Sequence, residues 1–125
     1  MIRVLLVDDQ SSVRQGLRMR LALEPDITIV GEADEGVAAV HLASLRQPDV
    51  VVLDLEMSGM DGLRAIEALR AVIPNAAIVV LSMHDNAVTR RRVIEAGANL
   101  FVGKHEESER LPCSIREAAG LSRVQ

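Results

Sequence analysis

The sequence predicts an α/β domain of three layers, in which helices cover both faces of a doubly wound parallel sheet. Short runs of Val, Ile and Leu alternate along the chain with segments whose apolar residues recur every three or four positions. The first pattern is typical of strands and the second of amphipathic helices. Three of the runs are almost continuously apolar, as expected of strands buried on both faces of a parallel sheet. Elements that alternate in this way form right-handed βαβ units.

Five apolar runs are predicted as strands. Pro48 directly precedes the third run, and Pro74 follows the third helical segment, so each proline marks a boundary between elements. The predicted strands are IRVLLV (2–7), ITIVGEA (27–33), DVVVLDL (49–55), AAIVVLS (76–82) and NLFVG (99–103).

The segments between the strands are predicted as helices. The first carries an apolar residue at every fourth position from Val13 to Leu21. The segment 86–97 has the weakest apolar stripe, since three consecutive arginines interrupt it. The last helix is expected to start near Ser108, because Pro112 is tolerable only close to a helix start. The third helix has apolar residues at a spacing of three and four, namely Leu63, Ile66, Leu69 and Ile73.

Composition limits the classes of function. With 125 residues, 49% of them hydrophobic, the chain is expected to form one domain with a substantial core. A net charge of −4 and an aromatic content of 1% argue against nucleic-acid binding through the surface of this domain. The six-residue apolar run at 2–7 is too short for a signal peptide or a membrane span. A single cysteine, Cys113, excludes an internal disulfide, which fits a reducing compartment, so a cytoplasmic location is predicted. Cys113 itself is interpreted as a small packing residue.

Polar residues follow the predicted strands at one end of the sheet. Asp8 and Asp9 end the first strand, Asp54 ends the third, Ser82 ends the fourth, and Lys104 follows the fifth. In an open parallel sheet, ligands bind in the crevice outside the carboxyl ends of the strands. We therefore expect these five side chains to point into one crevice.

Each of these residues has a simpler explanation when taken alone. Asp8 or Asp9 could cap the first helix, Ser82 could be an ordinary loop hydroxyl, and Lys104 could be a solvated lysine. Together they are harder to dismiss, because three carboxylates in one crevice repel one another unless a cation neutralises them. A hard divalent ion with oxygen ligands, most simply Mg²⁺, meets that need. A carboxylate beside Mg²⁺ and a lysine is suited to attack phosphorus, and Asp54, on the central strand, is the natural nucleophile.

Four motifs with this spacing resemble the receiver domains of two-component response regulators. They are LLVDDQ, VVLDLEMSGMDG, VVLSMHDN and EAGANLFVGK, and the resemblance extends over residues 2 to 120. It implies a flavodoxin-like sheet with the strand order 2-1-3-4-5. DDQSSVRQGL and LSMHDN are similar in particular to NarL/FixJ-type (LuxR-like) regulators, in which a helix-turn-helix DNA-binding domain follows the receiver. Residues 121–125 are then expected to be a tail or the start of a linker to such an output domain, which these residues do not contain.

The resemblance also implies a phosphoacceptor site. Asp54 matches the aspartate that takes a phosphoryl group from the phosphohistidine of a sensor histidine kinase. Asp8 and Asp9 match the acidic pair that holds Mg²⁺, and Asp54 with the backbone carbonyl of Glu56 would complete the protein ligands. Such a domain promotes phosphorylation and dephosphorylation of its own aspartate, yet it is a signalling module rather than an enzyme.

The remaining matches concern the signal. Ser82 and Lys104 match the residues that contact the phosphoryl group. Phe101 matches the aromatic residue that turns inward when Ser82 is drawn toward that phosphoryl group. Phosphorylation is expected to change the surface formed by residues 84–104 and the last helix. A homodimer is one expected form of the phosphorylated protein. DNA is reached only through the C-terminal output domain. Arg90 to Arg92 are interpreted as a solvated helix face, with a dimer or partner surface as the alternative.

The chain departs from the family pattern at positions that concern signal readout. Phe101 stands where Tyr is commoner, Leu100 where Gly is frequent, and Ser58 and His105 where Pro is frequent. These departures keep open an alternative function, a protein-interaction module that works without phosphorylation. A second alternative is a phosphatase or phosphotransferase of the haloacid dehalogenase type. Those enzymes usually carry a second aspartate where this chain has Glu56.

Overall fold

The computed structural model describes residues 1–57, 61–104 and 107–123, and these form one sheet flanked by helices. The strands are β1 (Ile2–Val7), β2 (Ile27–Ala33), β3 (Val50–Asp54), β4 (Ala77–Ser82) and β5 (Leu100–Gly103). The helices are α1 (Ser11–Leu21), α2 (Gly36–Arg46), α3 (Gly62–Val72), α4 (Ala87–Ala96) and α5 (Glu107–Arg123).

The five strands pair in the order β2-β1-β3-β4-β5, and every pairing is parallel. The predicted fold class and strand order are therefore confirmed. The register matters for function, because Val7 pairs with Leu53 and Asp54 pairs with Leu81. Asp8, Asp54 and Ser82 consequently leave three neighbouring strands at nearly the same level of the sheet.

An apolar layer covers each face of the sheet. Side chains alternate between the faces along each strand, so that Leu53 belongs to one layer and Val52 to the other. Helices α2, α3 and α4 pack on the first layer, whereas α1 and α5 pack on the second. Every residue of β3 and β4 is buried, which explains why these two strands read as continuous apolar runs.

The turn from β3 to α3 is held by two residues at the helix start. The Asp61 carboxylate accepts a hydrogen bond from the Leu63 N–H at 3.0 Å and so caps α3. Gly62 lies against the preceding loop, where an added Cβ would come within 2.5 Å of the Leu55 carbonyl oxygen. A glycine is therefore needed here for α3 to begin this close to the end of β3.

Helix α4 is held loosely, as its sequence predicts. Val93 is its buried residue, and the Asn86 side chain caps it by accepting from the Thr89 N–H at 2.9 Å. By contrast, α3, a helix of similar length, buries four residues. Because little apolar area anchors α4, it is the helix that can shift at the least cost.

Helix α5 begins at Glu107, one residue from the predicted start, with Pro112 in its second turn. It continues to Arg123, beyond the boundary expected at residue 120, and residues 124 and 125 lie outside the described ranges. The packing role predicted for Cys113 is wrong, since this side chain is exposed. Leu111 and Ile115 face the sheet, and Cys113, two positions from each, lies on the opposite side of the helix. Within the described residues, no helix has the length and apolar content needed to span a membrane.

A partly buried arginine ties the far end of α3 to β4 and to the loop before β5. The Arg70 guanidinium donates to the carbonyl oxygens of Gly97 at 2.8 Å and Ala76 at 2.5 Å, and to the Asn99 side-chain oxygen at 2.8 Å. That Asn99 oxygen also accepts from the Ile78 N–H at 2.8 Å. This network lies at the end of the sheet opposite the polar crevice.

Candidate functional site

Three carboxylates meet at the carboxyl edge of the sheet. Oxygen atoms of Asp8, Asp9 and Asp54 all lie within 4.8 Å of one another. Asp8 is 1% exposed and Asp54 is 2% exposed, so two of the three are almost fully removed from water. The crevice predicted from the strand ends is thus present. Three such groups at this distance repel one another strongly unless positive charge is close by.

Asp8 carries an oxygen atom that is both buried and unsatisfied. Its Oδ1 accepts from the Gln10 N–H at 2.9 Å, whereas Oδ2 has no hydrogen-bond partner within the described part of the chain. Burial raises the pKa of Asp8, the Gln10 hydrogen bond opposes this rise, and repulsion from Asp54 adds to it. The N-cap of α1 is Gln10, so neither aspartate holds the capping position considered for them. A buried, unpartnered carboxylate oxygen is costly unless a cation approaches it.

Lys104 supplies positive charge to the cluster. Its Nζ lies 2.9 Å from Asp54 Oδ1, and its side chain is only 15% exposed. Burial by itself lowers the pKa of Lys104. The Asp54 hydrogen bond and the negative charges of Asp54, Asp8 and Glu56 outweigh this effect, so the net pKa is raised. Lys104 therefore stays protonated at neutral pH and offsets part of the negative charge beside Asp54.

Asp54 is also fixed from its own loop. The Glu56 N–H donates to Asp54 Oδ1 at 3.1 Å, so this oxygen receives both the backbone donor and the lysine. The Leu55 N–H donates to the Leu81 carbonyl oxygen at 2.9 Å and extends the pairing of β3 and β4 past Asp54. These contacts hold the carboxylate in one orientation at the mouth of the crevice.

The Ser82 hydroxyl has a partner that the sequence analysis did not predict. Ser82 is fully buried, and its O–H donates to the Glu56 carboxylate through Oε2. The other oxygen of that carboxylate, Oε1, accepts from the Met83 N–H at 2.8 Å. The Ser82 oxygen in turn accepts from the His84 N–H at 3.0 Å. The sequence assigned Glu56 only through its backbone carbonyl, and its acidic side chain two residues after Asp54 was the available signal.

Phe101 lies on β5 and is partly buried beneath an arginine of α4. The guanidinium carbon of Arg90 is 4.6 Å from the centre of the Phe101 ring, within the range of a cation–π interaction. The same guanidinium donates to both carboxylate oxygens of Asp85, at 2.7 and 3.0 Å. Arg90 is exposed, as predicted for a solvated helix face, and it also makes these two contacts. The departures at Ser58 and His105 lie outside the described residues.

Comparison with known proteins gives one consistent match. The family model described as the response regulator receiver domain matches residues 4–116. Among curated proteins, the chain is 40% identical over 119 residues to the transcriptional regulatory protein LiaR of Bacillus subtilis, covering 95% of this chain and 56% of LiaR. It is 38% identical over 122 residues to the nitrate/nitrite response regulator protein NarP of Escherichia coli, covering 98% of this chain and 57% of NarP. The chain thus spans about half the length of these relatives.

A solved structure matches the whole fold. The signal receiver domain of the response regulator NarL from Mycobacterium tuberculosis superposes with a TM-score of 0.87 at 30% identity. The match covers 95% of this chain and 96% of that domain. The similarity therefore extends over the whole five-stranded fold.

Proposed function

The chain belongs to the response regulator receiver domain family, and from this premise we propose that it is a phosphoacceptor switch centred on Asp54. Its Asp54 carboxylate accepts a phosphoryl group from the phosphohistidine of a sensor histidine kinase. One observation carries the proposal. Asp54 is 2% exposed, lies 2.9 Å from the Lys104 ammonium and shares the crevice with two further aspartates. Buried charged groups gathered in a crevice are typical of functional sites rather than of a purely structural core.

The donor set of the crevice fits Mg²⁺. Asp8 Oδ2 is buried without a hydrogen-bond partner among the described residues, and one carboxylate oxygen from each of Asp8, Asp9 and Asp54 lies within 4.8 Å of the other two. These three side chains, with the backbone carbonyl of Glu56, would hold the ion, because hard divalent cations prefer oxygen ligands. Bound there, Mg²⁺ supplies positive charge that neutralises the phosphoryl oxygens and the carboxylates around them.

The transfer itself uses the residues of the chain in distinct roles. An Asp54 carboxylate oxygen forms a bond to phosphorus while the phosphorus–nitrogen bond of the donor breaks, and the electron pair of that bond stays on the imidazole. The imidazole takes up a proton, and the product on Asp54 is an acyl phosphate. Lys104, kept protonated by its neighbours, donates to a phosphoryl oxygen and stabilises its charge. Attack of water on the same phosphorus returns the free carboxylate and inorganic phosphate.

The signal follows from rearrangement of donors near the new anion. We propose that Ser82 turns toward the phosphoryl group, that Phe101 then moves inward, and that α4 shifts with them. Support comes from the weak anchoring of α4, which buries Val93, and from the partly exposed position of Phe101 on the neighbouring strand. A local charge change would thus alter the surface formed by residues 84–104 and α5.

The output lies beyond this domain. LiaR is named a transcriptional regulatory protein, and the chain covers 56% of its length. By analogy we propose that the altered surface controls a C-terminal DNA-binding domain, directly or through a homodimer formed on phosphorylation. The partners are then a sensor histidine kinase and, through that output domain, DNA.

Intact-mass measurement tests the chemistry. The protein is incubated with acetyl phosphate and Mg²⁺, beside the variant Asp54→Asn and beside a sample containing EDTA. We expect one added phosphoryl group in the native protein with Mg²⁺ and none in the two comparison samples. An adduct that persists in Asp54→Asn would refute the assignment of the acceptor. The complete absence of an adduct, together with no binding of beryllofluoride, would favour the phosphorylation-independent interaction module.

A further inference from the structure

The Glu56 carboxylate accepts hydrogen bonds from two donors at the end of β4, next to the proposed phosphoacceptor. The Ser82 O–H donates to Oε2, and the Met83 N–H donates to Oε1 at 2.8 Å. Both oxygens of one carboxylate are therefore used by adjacent residues of β4 and the loop after it. Two converging donors of this kind form a small anion site, and here a side chain of the protein fills it.

We propose that Glu56 is a positioning residue that holds Ser82 and Met83 in the unphosphorylated protein and competes with the phosphoryl group for them. The inference rests on the proposed function of Asp54. It assigns to the Glu56 side chain a role separate from that of its backbone carbonyl. We call the Glu56 carboxylate with the Ser82 O–H and the Met83 N–H the Glu56 latch.

The Ser82 hydroxyl has a limited capacity for hydrogen bonds. A serine hydroxyl has one hydrogen to donate, and in the latch that hydrogen goes to Glu56. The His84 N–H donates to the same hydroxyl oxygen at 3.0 Å, which occupies one of its lone pairs. Ser82 therefore cannot donate to a phosphoryl oxygen until it leaves Glu56. The latch must open for the switch to operate through Ser82.

The Glu56 side chain lies next to the acceptor carboxylate in sequence and in space, and it carries a negative charge. The Glu56 N–H donates to Asp54 Oδ1 at 3.1 Å, so the backbone of Glu56 is fixed directly beside the acceptor carboxylate. A phosphoryl group on Asp54 adds negative charge close to the Glu56 carboxylate, and the two anions repel each other. Phosphorylation therefore pushes Glu56 away and at the same time attracts the donors that Glu56 held. A neutral side chain at position 56 would not be repelled by the phosphoryl group.

The two contributions, the latch and simple charge repulsion, can be separated with a double-mutant cycle. Beryllofluoride affinity in the presence of Mg²⁺ is measured by fluorine NMR for the native protein, Glu56→Ala, Ser82→Ala and the double variant. Substitution of the Glu56 side chain leaves its backbone carbonyl in place. Glu67→Gln, an exposed carboxylate of α3, serves as the control for a change of net charge.

We expect Glu56→Ala to tighten beryllofluoride binding by roughly tenfold, because donors that were satisfied by a charged acceptor become free. In the Ser82→Ala background the same substitution should change the affinity by about threefold or less. Glu67→Gln should leave the affinity unchanged. An unaltered affinity in Glu56→Ala, or a full effect that persists without Ser82, would overturn the latch. If Glu56→Ala does not fold, Glu56→Gln, which keeps a single acceptor oxygen and no charge, replaces it with the same direction of change.

Failure of the latch is distinguishable from failure of the proposed function. If native protein and Glu56→Ala bind beryllofluoride equally and Asp54→Asn does not bind it, Asp54 remains the acceptor and only the latch is refuted. If the native protein itself binds no beryllofluoride, the premise of both proposals is refuted. A structural readout accompanies the affinities. Without any phosphoryl analogue, the Met83 amide should shift in the NMR spectrum of Glu56→Ala, and an unchanged signal would also count against the latch.

Discussion

The metal-free protein should become more stable when Asp8 is replaced by Asn. The Asp8 side chain is 1% exposed, lies within 4.8 Å of two other carboxylates, and has no hydrogen-bond partner for Oδ2 within the described residues. Asn keeps an oxygen that can accept from the Gln10 N–H, as Asp8 Oδ1 does at 2.9 Å. It removes the negative charge and supplies an N–H₂ group that can donate to the neighbouring carboxylates.

The size of the gain follows from the distances. Two unit charges 4.8 Å apart repel by about 3.5 kcal/mol at an effective dielectric constant of about 20. Lys104, whose Nζ is 2.9 Å from Asp54, cancels much of the repulsion within the cluster. We therefore expect Asp8→Asn to raise the free energy of unfolding by about 1–2 kcal/mol at neutral pH without metal.

The gain should depend on pH. Burial, opposed by the Gln10 bond and assisted by Asp54, raises the pKa of Asp8 above its usual value of 3.8. Between 3.8 and the raised pKa, the folded protein binds more protons at Asp8 than the unfolded chain does. The contribution of Asp8 to stability therefore falls as the pH rises through this interval. The advantage of Asp8→Asn should be absent below pH 3.8 and complete above the raised pKa.

Urea unfolding followed by circular dichroism provides the measurement, in EDTA and in Mg²⁺ at neutral pH and again at acidic pH. Asp26→Asn is the matched control, because Asp26 accepts two hydrogen bonds from Arg116 at 2.8 Å and its pKa is lowered to about 2. That substitution should lower stability at neutral pH. Mg²⁺ should stabilise the native protein more than Asp8→Asn. If Asp8→Asn in EDTA is no more stable than the native protein, the proposed repulsion within the cluster is refuted.

Two further predictions concern the support of the site. Arg70→Ala should lower the free energy of unfolding by roughly 2–4 kcal/mol, because the carbonyl groups of Gly97 and Ala76 lose a partly buried donor. Urea unfolding checks this, and a loss below about 0.5 kcal/mol would contradict the role given to Arg70. Arg90→Ala should cost less than about 1 kcal/mol but should shift the NMR signals of Phe101, since Arg90 lies 4.6 Å above its ring. Phe101 is the single Phe of a chain without Tyr or Trp, so its ring signals are identified at once, and unchanged signals would refute the contact.

The fold could be predicted from the sequence because burial on both faces of a sheet restricts a strand to apolar residue types. Every residue of β3 and β4 is buried, so both strands appear as unbroken apolar runs, and the strand order followed from family motifs. The cluster of Asp8, Asp9 and Asp54 was predictable for a related reason, since parallel strands bring their carboxyl ends to one edge. Such relations depend on the backbone alone.

The features that were missed depend on side-chain direction. Glu56 is an exposed residue, yet its carboxylate reaches Ser82 and the Met83 N–H, and the acidic side chain two residues after Asp54 was the one signal of this in the sequence. Arg90 is exposed like Arg91 and Arg92, and nothing in the residue types predicts its contact with the Phe101 ring. Cys113 was misjudged for the same reason, because the side of α5 that it occupies follows from how the helix packs.

Asp54 as phosphoacceptor is tested most directly by identifying the residue that carries the phosphoryl group. Protein phosphorylated with acetyl phosphate and Mg²⁺ is reduced with borohydride, which converts an aspartyl phosphate to homoserine, and is then digested and sequenced by mass spectrometry. If Asp54 is the acceptor, homoserine appears at position 54, and none appears there when the phosphodonor or Mg²⁺ is omitted. Homoserine at another aspartate, with Asp54 unmodified, would contradict the central claim.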